Sequence, residues 1–126
     1  MNIVDTSGWL EYLADSPRAG QFAAAIEDTE HLLVPVIVIY EVFKKIALAF
    51  DESRAIQVIG VLKHGQVVPL DEAMAMGAAK LSLERKLPMA DALIYTTALR
   101  HGATVYTQDA HFEGLPQVRF FPRSEG

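Results

Sequence analysis

The sequence predicts an α/β protein, a three-layer sandwich in which a mostly parallel sheet of about four or five short strands is flanked by helices. Short apolar segments alternate with longer segments of helical spacing, which is the pattern of repeated β–α–β units. The 126 residues, 51% hydrophobic and 21% charged, are typical of one soluble domain. No linker, repeat or low-complexity tract interrupts them, so we expect a single domain over residues 1–126.

The strands are predicted from short apolar runs that stop at a polar residue, a proline or a turn. Between these runs, apolar residues recur at three- and four-residue spacing, which is typical of amphipathic helices. The predicted strands are residues 3–4, 32–34, 67–68, 104–107 and 118–121. The predicted helices cover about residues 6–13, 22–29, 36–48, 52–63, 71–83 and 90–99.

One segment gives conflicting signals. Residues 36–40 are mostly β-branched and on propensity alone would form a strand. Pro35 suits the first position of a helix, however, and the apolar pattern continues to Leu48. A pattern of this length favours a helix, so we predict one that starts at residue 36.

The composition excludes several classes of function. The chain has no cysteine, which excludes disulfides, thiolate zinc sites and cysteine nucleophiles and agrees with a reducing cytoplasm. No apolar run reaches the ~18 residues of a membrane-spanning helix. The first residues also lack the basic region and cleavage site of a secretory signal. We therefore expect a cytoplasmic protein with no membrane partner.

The net charge argues against a nucleic-acid partner. The 16 acidic and 11 basic residues give a formal net charge of −5, whereas contacts to phosphates normally come from Lys and Arg. This balance is compatible with a nuclease only if several acids gather around metal ions. The positions of the acids therefore decide the interpretation.

Four acids stand where an α/β sheet would place a ligand site. Asp5 follows the first predicted strand and Asp109 follows the strand at 104–107, and open sheets bind ligands at the carboxyl ends of their strands. Glu41 and Asp91 stand among the apolar residues of predicted helices, where an ionised carboxylate needs a partner. These four side chains are the candidate catalytic and metal-binding residues.

Each acid also has a purely structural interpretation. Asp5 could cap the following helix, and Asp109 could be a turn residue. Glu41 could pair with Lys45 four residues later, and Asp91 could complement the helix dipole from the first turn. The joint placement of the four acids, more than any single one, favours a shared site.

Four segments, taken in order, resemble the PIN-domain family. Its opening pattern, I/V-x-D-T/S-S/N, is similar to residues 2–7 (NIVDTS). Its second acid resembles Glu41, and its third block closely matches residues 87–94 (LPMADALI). Its closing T-x-D/N segment is similar to residues 103–109 (ATVYTQD), which Phe112 follows. The four blocks cover essentially the whole chain, at the small size typical of VapC-type toxins.

The resemblance implies a PIN-like fold and a metal-dependent endoribonuclease, the toxin of a VapBC-type toxin–antitoxin pair. It implies Mg²⁺ or Mn²⁺ held by Asp5, Glu41 and Asp91. Asp109 would help to hold a second ion or position water. RNA as substrate, a homodimer and a separate antitoxin chain are further implications. The supporting polar groups that the resemblance implies are Thr6, Ser7 and Thr107.

Elementary electrostatics agrees with a metal site. Two carboxylates about 4 Å apart repel by roughly 4 kcal/mol at an effective dielectric near 20, so a cluster of three or four needs a cation. All-oxygen ligands select hard ions such as Mg²⁺. At one point the sequence departs from the family pattern, because His111 stands where members often carry a further polar or acidic group.

Two other functions are compatible with parts of the pattern. A response-regulator receiver domain also has an acidic Mg²⁺ pocket on a parallel sheet, but it needs an acid pair after the first strand, and Asp5 has no acidic neighbour. A PIN-like domain without activity could serve as a binding module, although Asp5, Glu41 and Asp91 are all present.

The helices between residues 22 and 59 carry more apolar residues than one thin sheet needs as cover. They belong either to one core or to a surface that a partner covers. The residues concerned are Phe22, Ile26, Val42, Phe43, Ile46, Leu48, Ile56 and Ile59.

Overall fold

A computed structural model describes residues 1–123 and contains a five-stranded sheet flanked by six helices. The strands are β1 (Asn2–Val4), β2 (Leu32–Pro35), β3 (Gln66–Val68), β4 (Thr104–Thr107) and β5 (Val118–Phe120). The helices are α1 (Thr6–Leu13), α2 (Gly20–Glu27), α3 (Val36–Ala49), α4 (Glu52–Leu62), α5 (Glu72–Arg85) and α6 (Met89–His101). Two short 3-10 helices cover Thr29–His31 and Ala110–Phe112. The sheet order is β3-β2-β1-β4-β5, with every neighbouring pair parallel.

The predicted α/β class and the helix that starts at residue 36 are both confirmed. Pro35 ends β2 in an extended conformation (φ −60°, ψ 140°), and α3 begins directly after it. Val38 and Val42, four residues apart, are the buried side chains of α3, so one stripe of the helix faces the core. The predicted bounds are off by at most two residues, and the last strand, for example, ends at Phe120 rather than 121.

The core lies around β1, which is the central strand. Ile3 and Val4 are fully buried between the neighbouring strands β2 and β4. Helix α6 is the most deeply buried helix, since every residue from 92 to 98 is buried. It contacts β1, β2 and β4, so its first turn lies near the carboxyl ends of the central strands.

A close contact at Gly8 sets the position of α1. A Cβ atom there would lie 2.7 Å from both the Cδ1 atom of Phe22 in α2 and the Cγ1 atom of Val4. Such a distance is shorter than a side-chain carbon tolerates, so α1 can start this close to β1 only with glycine. The first turn of α1 therefore lies against the carboxyl end of β1.

Two helical hairpins, α3–α4 and α5–α6, leave large apolar side chains in contact with solvent. The first hairpin exposes Tyr40, Leu48, Phe50 and Ile56, and the second exposes Met76, Leu83, Met89 and Leu99. Within residues 1–123, no helix has both the length and the apolar character that crossing a bilayer requires.

Candidate active site

Asp5 is the most buried of the four candidate acids, at 3% exposure. It follows β1 and caps α1, accepting a hydrogen bond from the backbone N–H of Gly8 at 2.9 Å. The hydroxyls of Ser7 (2.9 Å) and Thr107 (2.6 Å) also donate to its carboxylate. Burial raises the pKa of Asp5, and these hydrogen bonds oppose the increase. The capping interpretation is therefore correct for Asp5 and is compatible with a place in the site.

Thr107 connects Asp5 to the loop that carries Asp109. It is fully buried at the end of β4, next to β1 in the sheet. Its hydroxyl donates to Asp5 Oδ2 and accepts from the backbone N–H of Asp109 at 2.9 Å. A hydroxyl can donate and accept at the same time, so one side chain fixes both acid-bearing segments.

Asp91 and Asp109 form the more open part of the site. Asp91 lies in the first turn of α6 with its side chain 14% exposed, and the side chain of Asp109 is 30% exposed. The Nδ1 atom of His111 lies 3.0 Å from Asp91 Oδ2 and 3.0 Å from Asp109 Oδ1. Burial, followed by the negative charge of Asp109, raises the pKa of Asp91 to about 6.

Glu41 belongs to α3, the helix that follows β2. It therefore enters the site from the opposite side of β1 to Asp109, which follows β4. Its Oε1 atom accepts a hydrogen bond from the Thr6 hydroxyl at 2.5 Å. In the described part of the chain, no ion pair within 4.0 Å joins Glu41 to Lys45. The structure thus gives Glu41 a partner in the first turn of α1 instead of the helical ion pair that its spacing allowed.

All four acids line one cavity of about 270 Å³. Thr6 and Ser7 line it as well, and Thr107 lies beneath Asp5. The structure therefore brings together every residue that the sequence placed in a shared site. The cavity lies at the carboxyl ends of β1 and β4, where parallel sheets place their ligands.

The donor set of this cavity suits a metal ion. Ligand atoms of Asp91, Asp109 and His111 lie within 4.8 Å of one another, and the carboxylates of Asp5 and Glu41 line the same cavity. Several like charges in one small space are stabilised by a cation, and carboxylate oxygens are ligands that Mg²⁺ and Mn²⁺ prefer. His111, which departs from the family pattern, adds one imidazole nitrogen.

A second polar cluster behind the site was not predicted. Gln108, 4% exposed, donates from Nε2 to Glu11 at 2.8 Å and accepts from the Arg18 guanidinium. Arg18 also donates to the carbonyl oxygens of Phe121 and Pro122, both at 3.2 Å. These bonds join α1, the segment before α2 and the residues after β5 to the loop of Asp109. One sequence signal could have indicated this cluster, namely the polar residue between Thr107 and Asp109.

A five-stranded parallel sheet with acids at the carboxyl ends of its central strands defines the chain as an α/β protein with an acidic ligand site. The sequence matches the PIN domain over residues 3–117, and the chain belongs to this family. The resemblance predicted from the four sequence blocks is confirmed, and the receiver-domain alternative is set aside. No curated protein sequence matches the chain.

Solved structures with the same fold include a toxin–antitoxin complex and a toxin. A toxin–antitoxin complex from Klebsiella pneumoniae aligns with a TM-score of 0.77 and 23% identity over 94% of this chain and 96% of that one. VapC20 from Mycobacterium tuberculosis, a sarcin–ricin loop cleaving toxin, gives 0.76 and 19% over 94% and 99%. FitAcB from Neisseria gonorrhoeae gives 0.75 and 23% over 97% of each chain. The chain is thus similar in fold, along its length, to these proteins.

Proposed function

We propose that this chain is a metal-dependent endoribonuclease and the toxin of a VapBC-type toxin–antitoxin pair. The observation that carries the proposal is the convergence of Asp5, Glu41, Asp91 and Asp109 on one cavity. Membership of the PIN-domain family and similarity in fold to toxin structures support it. The absence of cysteine from the sequence supports a cytoplasmic location.

Asp5, Glu41 and Asp91 would hold Mg²⁺ or Mn²⁺, with Asp109 beside them. When bound, such an ion would polarise a phosphodiester and lower the pKa of a water molecule, whose hydroxide form is the nucleophile that displaces one ester oxygen from phosphorus. Three donors hold Asp5 in one orientation, and Thr6 orients Glu41. The chain thus positions part of the ligand set in advance, which is what a metal site needs.

The protonation of one candidate ligand depends on pH in the metal-free protein. Burial, and then the negative charge of Asp109, raise the pKa of Asp91 to about 6, so this carboxyl group holds a proton below about pH 6 when no cation is bound. Metal binding and proton release are therefore linked at this residue.

The function is tested by RNA cleavage with the purified chain. We expect cleavage with Mg²⁺ or Mn²⁺ and none in excess chelator. Asp91→Asn should lower the rate by at least about 10²–10³-fold, the loss typical of one key electrostatic group. Glu113→Gln is the matched control, since this exposed acid lies outside the cavity. If the intact chain folds and binds metal yet cleaves no RNA, it is a binding module and not a nuclease.

An antitoxin chain is the first proposed partner. A cavity of about 740 Å³ lies between α3 and α4, and Ile56 beside it is 59% exposed. Its apolar lining consists of Ile39, Phe43, Ala47, Ile56 and Ile59. An apolar groove between two helices is suited to an amphipathic helix. Of the apolar residues noted in the sequence, Phe22, Ile26 and Val42 are buried in the core. Phe43, Ile56 and Ile59 line this groove, where a partner could cover them.

A second copy of the chain is the other proposed partner. Helices α5 and α6 form a separate apolar cavity of about 530 Å³. Leu83 and Met89 beside it are 84% and 70% exposed, which is unusual for large apolar side chains. A self-complementary contact between two such surfaces would give a dimer with twofold symmetry.

Two substitutions distinguish these surfaces in light-scattering and co-purification experiments. Leu83→Glu should produce a monomer that still co-purifies with the antitoxin. Ile56→Glu should leave the dimer intact and lose the antitoxin. Both side chains are mostly exposed, so neither change is expected to unfold the chain. A wild-type chain that is monomeric and retains no co-expressed antitoxin would contradict the toxin assignment and leave the nuclease proposal standing.

A further inference from the structure

Two cations stand among the acids of the proposed active site. The chain has 11 Lys and Arg side chains, all of them within the described residues, and two of these line the acidic cavity, Lys45 and Arg123. Both are exposed. A chain of net charge −5 repels a polyanion over most of its surface. Cations at this particular cavity therefore need an explanation.

Lys45 reaches the cavity from α3. It follows Glu41 by four residues, so the two side chains lie on the same face of the helix, one turn apart. Glu41 is oriented by Thr6, and no ion pair within 4.0 Å engages Lys45 among residues 1–123. Its ammonium group is therefore available to a ligand of the cavity.

The neighbouring Lys44 has a different position. Its ammonium lies 5.8 Å from the centre of the Tyr40 ring, and Lys44 lines the cavity between α3 and α4 rather than the acidic one. Two adjacent lysines of equal charge thus line different cavities, and of the two it is Lys45 that lines the acidic one. This pair supplies a matched comparison.

Arg123 reaches the cavity from the segment that follows β5. Hydrogen bonds hold this segment in place just before Arg123. The backbone N–H of Phe121 donates to the Thr107 carbonyl at 2.8 Å. Arg18 binds the carbonyl oxygens of Phe121 and Pro122. Pro122 restricts the backbone further. The pKa of Glu11 in α1 is lowered chiefly by its hydrogen bond with Gln108, and the charges of Arg18 and then Arg123 contribute as well.

The two cations flank the acids along the sheet. Lys45 belongs to the helix after β2, and Arg123 follows β5, so they come from opposite sides of β1 in the order β3-β2-β1-β4-β5. We propose that Lys45 and Arg123 bind the phosphates of a single-stranded RNA on either side of the phosphodiester that the acids address. This inference rests on the proposed ribonuclease function and adds which residues of the chain hold the substrate.

The charges favour RNA over a protein segment at this place. Arg and Lys bind phosphate oxygens through charge-assisted hydrogen bonds, and a run of phosphates supplies an anion on each side of the scissile bond. Contacts of this kind position the strand and carry no base specificity. The two residues therefore determine substrate affinity and leave sequence preference to other groups.

The test is RNA binding as a function of salt. The background is Asp91→Asn with Mg²⁺ present, and the probe is a fluorescently labelled single-stranded RNA of mixed sequence. Each phosphate contact on a single strand contributes about 0.7 to the slope of log K against log salt. Lys45→Gln and Arg123→Gln should each reduce the slope by about 0.7, and the double variant by about 1.4. Each single change should weaken binding up to about 5-fold at low salt.

The controls remove the same charge elsewhere. Lys44→Gln and Arg119→Gln should leave the slope unchanged, since Arg119 stacks over the Phe121 ring at 5.4 Å and does not line the cavity. Lys45→Arg and Arg123→Lys should restore it. In the catalytically intact chain, the Gln variants should raise KM with little change in kcat, because these residues hold substrate and do not act on the reacting atoms.

Several results would overturn the inference. One is an unchanged slope for Lys45→Gln and Arg123→Gln, and another is an equal decrease in the two controls. Loss of antitoxin binding with unchanged RNA binding would assign the cations to the protein partner instead. Failure of the proposed function is separate: a chain that shows the expected slopes but cleaves no RNA with Mg²⁺ retains the phosphate contacts and loses the nuclease assignment.

Discussion

The two halves of the acidic cavity are built differently. Asp5 is buried and accepts hydrogen bonds from Ser7, Thr107 and the backbone of Gly8. Asp91 and Asp109 are more exposed and share one imidazole nitrogen of His111 between two carboxylates. The first half holds one carboxylate with three hydrogen bonds. The second half brings two carboxylates together around one imidazole, and only Asp109 of these two accepts a backbone hydrogen bond, from the N–H of His111 at 2.9 Å.

This difference predicts a separate role for each half of the cavity. A carboxylate with three donors is held in place with or without an ion, so the Asp5 half supplies a fixed point. The Asp91–Asp109 half stores electrostatic repulsion that a cation relieves. We therefore expect substitutions in the first half to act through geometry and those in the second half to act through charge.

Among the residues that position the acids without being candidate ligands themselves, the largest effect is expected at Thr107, which holds both halves. Thr107→Val keeps the shape but removes the hydroxyl that donates to Asp5 and accepts from Asp109. Loss of a partner that orients a metal ligand typically costs about 10- to 100-fold in metal affinity or activity. Thr107→Ser should restore most of it. The measurement is Mg²⁺-dependent RNA cleavage beside a Mg²⁺ titration.

Thr6→Val supplies the matched comparison for that prediction. Thr6 donates one hydrogen bond, to Glu41, at a part-buried place. Its loss should reduce activity less than the loss of Thr107. An equal or larger decrease for Thr6→Val would show that the hydroxyl beneath Asp5 has no special position in the site.

A smaller effect is expected on the stability of the metal-free protein. The pKa of Asp91 is raised to about 6, from an ordinary value near 3.9. Between about pH 4 and pH 6 the folded chain keeps a proton that the unfolded chain has lost, so stability falls as pH rises through this window. Asp91→Asn removes the penalty and should raise Tm by about 3–6 °C near pH 7 in chelator.

The pH dependence checks the sign of this effect. Thermal melts in chelator from about pH 4.5 to pH 7.5 should converge for wild type and Asp91→Asn at the acidic end and separate at neutral pH. Added Mg²⁺ should stabilise the wild type more than the variant. A variant that is less stable than wild type at pH 7 without metal would mean that the Asp91 carboxylate is already compensated by His111.

Local patterns in the sequence were sufficient for the fold and for the four acids. Asp5 and Asp109 could be placed because parallel strands bring their carboxyl ends to the same edge of the sheet, whatever their separation in sequence. The helix from residue 36 could be predicted because apolar spacing over more than one turn outweighs the β-branched composition of a short segment.

Contacts between residues far apart in the sequence could not be predicted from such local patterns. Arg18 and Gln108 are separated by 90 residues and neither belongs to a periodic pattern. The shared position of His111 depends on the turn of the short helix at Ala110–Phe112, which directs its ring toward α6. The distinction between Lys44 and Lys45 likewise needs the rotation of α3 about its axis, because adjacent residues on a helix point in different directions.

The hydrogen bond between Thr107 and Asp5 also determines how late in synthesis the site can form. The two residues are 102 positions apart, and the backbone N–H of Thr104 donates to the carbonyl of Met1 at 3.0 Å. A growing chain that has not yet reached β4 has one side of β1 unpaired and lacks Thr107, Asp109 and His111. Such a chain also lacks the hydroxyl that connects Asp5 to the segment of Asp109. The proposed ribonuclease site can therefore form only after synthesis has passed the last of these residues.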